Sequence, residues 1–176
     1  VSLLKIAISQ WSQERDLVFG TTVQCRDEAE DENVLGDFTN FMALRSQVKP
    51  EQTLGAWLRE VHETSLRCLE HKNTPFDLVS AHVGRAPENV NPVYNILVNQ
   101  LPPMSELEGG LSDENLEIRF TNNRVLNGAA MLDMRFEWYE EREGLRLHCE
   151  YDTDLFLPST IEFFLDCFQR FVEEES

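Results

Sequence analysis

No two cysteines in this chain are spaced as C-x-x-C, no two histidines are adjacent, and no apolar run is long enough to span a bilayer. Each absence removes a class of function. Cys25, Cys68, Cys149 and Cys167 stand far apart, a spacing that fits neither a zinc site nor a disulfide scaffold. They are expected as free thiols, buried as small hydrophobes. With no signal-peptide pattern at the start, the default compartment is the cytoplasm and no membrane partner is expected. There is no G-x-S-x-G and no glycine-rich phosphate loop, so two common catalytic frameworks are missing. Basic residues are scarce: 15 Lys and Arg stand against 32 Asp and Glu, a formal charge of -17. A field of that sign repels phosphate backbones and anionic lipid, so nucleic acid is not an expected partner. The acidic residues gather at Asp27, Glu28, Glu30, Asp31 and Glu32, read as a solvated loop, and again at Glu173 to Glu175. Internal repeats and low-complexity tracts are also lacking.

What is present suits one globular domain. The 176 residues are 41% hydrophobic and 27% charged, ordinary values for a chain that builds a core. Leu3, Leu4, Ala7, Ile8 and Trp11 share one helical face. No capping residue precedes Val1, so the helix is expected to start earlier in a longer protein. Leu17 to Gln24 reads as a strand, followed by the acidic loop and a mixed apolar stretch from Val34 to Val48. Thr53 is placed to cap a long helix with Leu54, Trp57, Leu58, Val61, Ser65 and Cys68 on its buried face. That helix must stop before Pro75, and Phe76 to Val83 suits a short one after it. Val93 to Val98 reads as a buried strand, and residues 101–115 as a loop. Three alternating runs follow: Leu116, Ile118 and Phe120; Met134, Phe136 and Trp138; Leu145, Leu147, Cys149 and Tyr151. The last two are joined at Glu140–Gly144 as a hairpin. Pro158 opens a final helix with Ile161, Phe164, Leu165, Phe168, Phe171 and Val172 on one side. The fold class expected is α/β, a mixed β-sheet with helices packed on one face.

Five segments, in order, resemble the carboxy-terminal motifs of nonribosomal peptide synthetase condensation domains. Phe19-Gly20 to Cys25-Arg26 resembles the "V-G-T-P-V-x-G-R" strand. Leu35-Gly36-Asp37-Phe38-Thr39-Asn40-Phe41-Met42-Ala43-Leu44-Arg45 is similar to "I/V-G-x-F-V-N-T-x-x-x-R". His71-Lys72-Asn73-Thr74-Pro75-Phe76-Asp77 is similar to "H-Q-D-x-P-F-E". Arg85 and Asn91-Pro92-Val93-Tyr94 match the arginine and "N-P-L-F" ends of the last motif. Tyr151-Asp152-Thr153-Asp154-Leu155-Phe156 resembles "E-Y-N-T-D-L-F". Any one would be weak; together they cover nearly the whole chain. The Gly36-Asp37-Phe38-Thr39 part leans toward heterocyclization domains, whereas Asn40, Arg45 and the His71 segment lean toward ordinary condensation.

The resemblance implies a chloramphenicol acetyltransferase-like half-domain, residues 1–176 forming the carboxy-terminal lobe, with the amino-terminal lobe as its partner. In the family an amide bond forms in a tunnel between the lobes, from thioesters that peptidyl and aminoacyl carrier proteins present on 4'-phosphopantetheine arms. An adenylation domain lies adjacent. The family's catalytic "H-H-x-x-x-D-G" belongs to the other lobe; this chain has neither adjacent histidines nor Asp-Gly. No catalytic residue, metal ligand or directly bound cofactor is therefore expected here. Arg26 matches the arginine that pairs with the motif aspartate, as a bidentate Arg–carboxylate contact would; without that partner it is expected to be solvated. Asn40 matches an asparagine facing the tunnel. Phe38 and Arg45 fall in the latch that crosses toward the other lobe. His71, Pro75, Phe76, Arg85, Asn91 and Pro92 match architectural positions that fix turns and core contacts. Half of a heterocyclization, epimerization or CoA-dependent acyltransferase domain, or a non-catalytic module docking carrier proteins, are the alternatives.

The remaining titratable residues read as structural. His148 and Asp152 stand four apart, but Thr153 follows in place of glycine and both fall in the outward phase of a strand, as an exposed pair. His62 and His82 lack a metal-ligand partner at useful spacing. With its second lobe absent, the chain is expected to expose apolar latch residues such as Phe38, Phe41 and Met42 and to self-associate.

Overall fold

A computed structural model describes residues 1–84, 90–102, 110–113, 116–119, 128–141 and 144–175. Helix α1 spans Ser2–Ser12 and ends at Gln13 with φ 64, a left-handed cap that turns the chain into strand β1, Asp16–Gln24. Strand β2 (Thr39–Gln47) runs back along it, and helices α2 (Leu54–Glu70) and α3 (Phe76–Val83) follow. Strands β3 (Ile96–Leu101), β4 (Gly110–Asp113), β5 (Leu116–Arg119), β6 (Met134–Glu141) and β7 (Gly144–Tyr151) precede helix α4, Pro158–Glu174. Five strands form one mixed sheet in the order β2-β1-β3-β6-β7. The β1/β3 and β3/β6 pairs are parallel, and the outer pairs β1/β2 and β6/β7 antiparallel. Among the described residues β4 and β5 pair only with each other.

The core follows from the two periodicities. Leu17 and Phe19 of β1, Val98 of β3, and Met134 and Phe136 of β6 turn one face of the sheet toward Leu4 and Ile8 of α1 and Ile161 and Phe164 of α4. Leu165, Phe168, Phe171 and Val172 continue that stripe of α4 half-buried. Trp11 locks α1 to the carboxy-terminal segment, its ring 4.8 Å from Phe164 and 5.9 Å from Phe156. Asp152 brings Phe156 there: its carbonyl accepts from the Leu155 and Phe156 amides, and its Oδ1 from the Asp154 amide at 2.8 Å. Helix α2 begins as expected, the Thr53 hydroxyl accepting from the Ala56 amide. Its Trp57 and Val61 are buried, and Trp57 Nε1 donates to the Ser2 carbonyl at 3.0 Å. No helix among the described residues is long and apolar enough to cross a membrane.

Several expectations need correction. The third strand starts at Ile96, not Val93, because Asn91 Oδ1 accepts from the Val93 and Tyr94 amides and folds that stretch into a turn. Residues 101–115 are not all loop, since Leu101 ends β3 and 110–113 form β4. Inside the acidic run, Ala29–Asn33 is a 3-10 turn closed by a capping box between Glu28 and Asp31. Leu58 is exposed although it belongs to the expected face of α2, and Leu145 is exposed on β7. The cysteines are free thiols but not fully buried: Cys25, Cys68 and Cys149 are half-covered and Cys167 is exposed. His148 and Asp152 are half-buried, not an exposed pair; His148 lies edge-on to Tyr139 at 5.3 Å and pairs in register with Glu137 across β6/β7. His62 and His82 are exposed. Arg85 and Phe120 lie outside the described residues.

Candidate functional site

Four of the five motif-like segments gather around the edge strand β2, whereas Tyr151–Phe156 ends β7 at the opposite edge of the sheet and packs on Trp11. At its start, Asn40 reaches the turn between α2 and α3. Its Nδ2 donates to the carbonyls of Lys72 and Thr74, each at 2.7 Å, and its Oδ1 accepts from the Phe76 amide at 3.3 Å. Both amide hydrogens and the oxygen are thereby engaged with backbone, so the Asn40 amide acts on the 72–76 turn. A second tie comes from Asp27, which pairs with Lys72 Nζ and accepts from Asn73 Nδ2 at 3.1 Å. The Lys72 ammonium and the Asn73 amide hold the Asp27 carboxyl below its usual range. Cys25 Sγ adds a contact to the Lys72 carbonyl at 3.4 Å. His71 closes the carboxy-terminal end of α2 through its backbone, its amide donating to Cys68 and Leu69 and its carbonyl accepting from Thr74. Pro75 then serves as the N-cap of α3, with φ -56 already preset.

Arg26 is half-buried and held by backbone carbonyls rather than free in solvent. Its guanidinium lies 4.0 Å from the centroid of the Phe38 ring and donates to the carbonyls of Asp31, Val34 and Gly36. Those bonds draw the acidic 3-10 turn back over the entrance to β2, so a cation orders a segment that its own negative charge would extend. Phe38 is half-buried beneath the guanidinium. Met42 is also half-buried, whereas Val34, Leu35 and Phe41 are exposed. The expected exposed apolar surface thus exists, carried more by Val34 and Leu35 than by Phe38 and Met42. Arg45 pairs with Asp16 of the neighbouring strand at 2.6 Å, both largely in solvent.

Behind β2 runs an aromatic strip. Phe41, Phe76 and Tyr94 follow one another at 6.1 Å and 5.5 Å between centroids, distances suited to tilted ring packing. Tyr94 is buried directly over Gly20, where an added Cβ would fall 2.3 Å from the ring. Phe76, the Asn91-Pro92-Val93-Tyr94 segment and Gly20 belong to three separate motif segments, and this strip is where they meet.

Three contributions were missed in the sequence. Asn99 of β3 is the first. Strands β1 and β3 pair in register only at Phe19↔Ile96 and Gly20↔Leu97. Beyond that, Asn99 Oδ1 accepts from the Thr22 amide at 2.9 Å and the Thr22 hydroxyl at 3.0 Å, bridging the gap. The Lys72–Asp27 pair is the second, invisible because its partners are 45 residues apart. Lys5 is the third: it is 0% exposed in the core of α1, with Nζ on the Leu44 carbonyl and the Ser46 hydroxyl. Among the described residues no group of three or more His, Cys, Asp or Glu side chains is arranged to hold a metal ion. Arg26, Asn40, Lys72 and Asp27 are bound to one another's segments, and this assembly offers shape and anchoring rather than a nucleophile paired with a base.

A five-stranded mixed sheet carrying helices on one face is the chloramphenicol acetyltransferase-like α/β architecture. The chain belongs to the condensation domain family, whose model matches residues 1–175. It is 31% identical over 162 residues to surfactin synthase subunit 2 of Bacillus subtilis (strain 168), an alignment covering 92% of this chain and 4% of that protein. It also superposes on a four-domain nonribosomal peptide synthetase solved with AMP and glycine, with a TM-score of 0.83 and 25% identity, over 98% of this chain and 14% of that one. The starter condensation domain of rhizomide synthetase shares the fold, with a TM-score of 0.69 and 18% identity, over 98% of this chain and 39% of that one. The chain therefore spans a small fraction of its curated relatives and about two-fifths of a solved condensation domain.

Proposed function

We propose that the chain is the carboxy-terminal lobe of a condensation domain and supplies one wall of a site where an amide bond is formed. In the intact synthetase, the amine of one carrier-bound aminoacyl group attacks the thioester carbonyl of another. The C–N bond forms, the C–S bond breaks, and the thiol of the donor's 4'-phosphopantetheine arm takes up a proton. The histidine that assists this attack belongs to the partner lobe. The observation that carries the reading is the convergence of Arg26, Asn40, the His71–Phe76 turn and Asn91–Tyr94 on β2, with their polar groups spent on holding backbone. Such a site shapes a passage and leaves proton transfer to another segment.

The roles follow residue by residue. Asn40, Lys72 and Asp27 keep the edge of the passage in place. Phe38 and the exposed Val34 and Leu35 form the latch surface, which meets the amino-terminal lobe. Arg26 pairs with a carboxylate of that lobe by exchanging one or more of its present carbonyl partners, a trade of neutral for charge-assisted hydrogen bonds. Arg45 stays with Asp16 at the rim. Peptidyl and aminoacyl carrier proteins and an adenylation domain are the partners in the whole synthetase. The test is direct: carrier-bound donor and acceptor thioesters are mixed with the 176-residue chain, and separately with the intact synthetase, and amide product is followed by mass spectrometry. Product from the intact protein alone is expected. Turnover by the isolated chain would contradict the proposal.

A further inference from the structure

Lys5 is the one lysine placed wholly inside the described core, at 0% exposed. It stands one residue from Leu4 and one turn before Ile8 and Ser9, on the face of α1 that packs inward. Its ammonium meets two neutral acceptors of β2, the carbonyl of Leu44 and the hydroxyl of Ser46, the latter at 2.9 Å. The ring of Phe19 faces it at 5.1 Å. The charged and titratable groups around it are Asp16 of β1, Cys68 of α2 and the amino group of Val1. Asp16 is already engaged by Arg45 on the strand edge.

A buried ammonium without a salt-bridged partner is costly, and a methionine would fill a similar volume without that cost. What the lysine adds is geometry. Among the described residues strand β2 is an edge, hydrogen-bonded only to β1 within its sheet, so its register is enforced from one side. A slip of one residue would turn Ser46 to the other face of the sheet and take its hydroxyl from the lysine. The same slip would carry Asn40 away from the 72–76 turn it holds. A polar group that fixes register at the expense of stability is the best-attested use of a buried charge.

We propose that Lys5 is a positioning residue, a register pin that holds strand β2 so that Asn40 faces the α2–α3 turn. This rests on the packing of α1 against β2 and stands whether or not the chain catalyses with a partner lobe. Burial lowers the Lys5 amine to about 8 from 10.5 in the unfolded chain. Between those values the unfolded chain binds more protons, so the pin adds a rise in stability as pH climbs from about 8 toward 10.5. Raised thiols, Cys68 and Cys149, act in the opposite direction, which is why the comparison with a variant is needed.

The experiment is urea unfolding and native-state hydrogen exchange on the full chain, for the wild type and Lys5→Met. The expected result is a urea midpoint at pH 7 equal to or above the wild type, together with amide exchange in residues 40–47 roughly tenfold faster or more, the loss of about one hydrogen bond. The wild type should also gain stability between pH 7.5 and pH 9.5 relative to Lys5→Met, on either side of the value of about 8. A residue of purely packing character would move midpoint and exchange in the same direction. Unchanged or slower exchange in β2, or identical pH profiles, would overturn the proposal. Should Lys5→Met not fold, Ser46→Ala removes one acceptor and is expected to speed β2 exchange several-fold, and no change there would overturn it equally.

Discussion

Replacing Asn40 by alanine removes three hydrogen bonds at once and leaves their backbone partners behind. Lys72 and Thr74 lose a donor to their carbonyls, and the Phe76 amide loses its acceptor. Each such bond contributes about 0.5–1.5 kcal/mol net, and an orphaned buried group costs more. The turn is largely exposed, with Asn73, Thr74 and Pro75 all in solvent, so water satisfies part of what is lost. The expected destabilisation is therefore near the lower end of the sum, about 2 kcal/mol, which in a chain of this size lowers Tm by about 4–8 °C. Exchange at residues 72–76 should accelerate more than exchange in the central strands. Asn40→Asp separates donors from acceptor. It keeps an oxygen for the Phe76 amide but sets a carboxylate against two carbonyls. Its folded carboxyl is thus raised, and its defect should be worst at neutral pH and shrink on acidification through that raised value. The assays are urea denaturation and amide exchange. An Asn40→Ala chain within about 0.5 kcal/mol of wild type, with unaltered exchange at the turn, would refute the clamp.

Two further predictions follow from packing and burial. Gly20→Ala puts a Cβ into the Tyr94 ring, and the resulting overpacking should cost about 1–3 kcal/mol. Adding Tyr94→Ala should make the glycine change nearly neutral, and additive losses would argue against the contact. Burial and the neighbouring Glu150 push the Cys149 thiol up to about 12, whereas Cys167 is exposed. Iodoacetamide at pH 8 should label Cys167 first and Cys149 last in the native chain, and equal rates would contradict the burial.

How much of this was legible beforehand depends on the distance over which each feature is decided. The helices at Thr53 and Pro158 announce themselves by local periodicity and start signals, the helix at Ser2 by periodicity alone, and the hairpin at Glu140–Gly144 by strand alternation. The edges of β3 did not, because the Asx turn at Asn91 overrides the β-branched pattern that begins at Val93. Arg26 looked solvated because its acceptors are backbone carbonyls, which a sequence does not display as partners. Lys5 escaped because helical patterning counts apolar positions and passes over a lysine among them. Its acceptors lie about forty residues away on a strand whose pairing is settled only in the fold. Half-burial of His148 likewise depends on Tyr139 and Glu137 arriving from the facing strand. The motif segments were visible one at a time, but the meeting of four of them around β2 is a property of the folded chain.

If this chain is one lobe of a condensation domain, the surface carrying Val34, Leu35 and Phe38 is covered by the other lobe. Hydrogen exchange of the same residues in the isolated chain and in the intact synthetase tests it most directly. Protection gained across residues 26–41 in the intact protein, with little change in the helix α1 core, is the predicted result. Equal exchange of that segment in both proteins would contradict the claim.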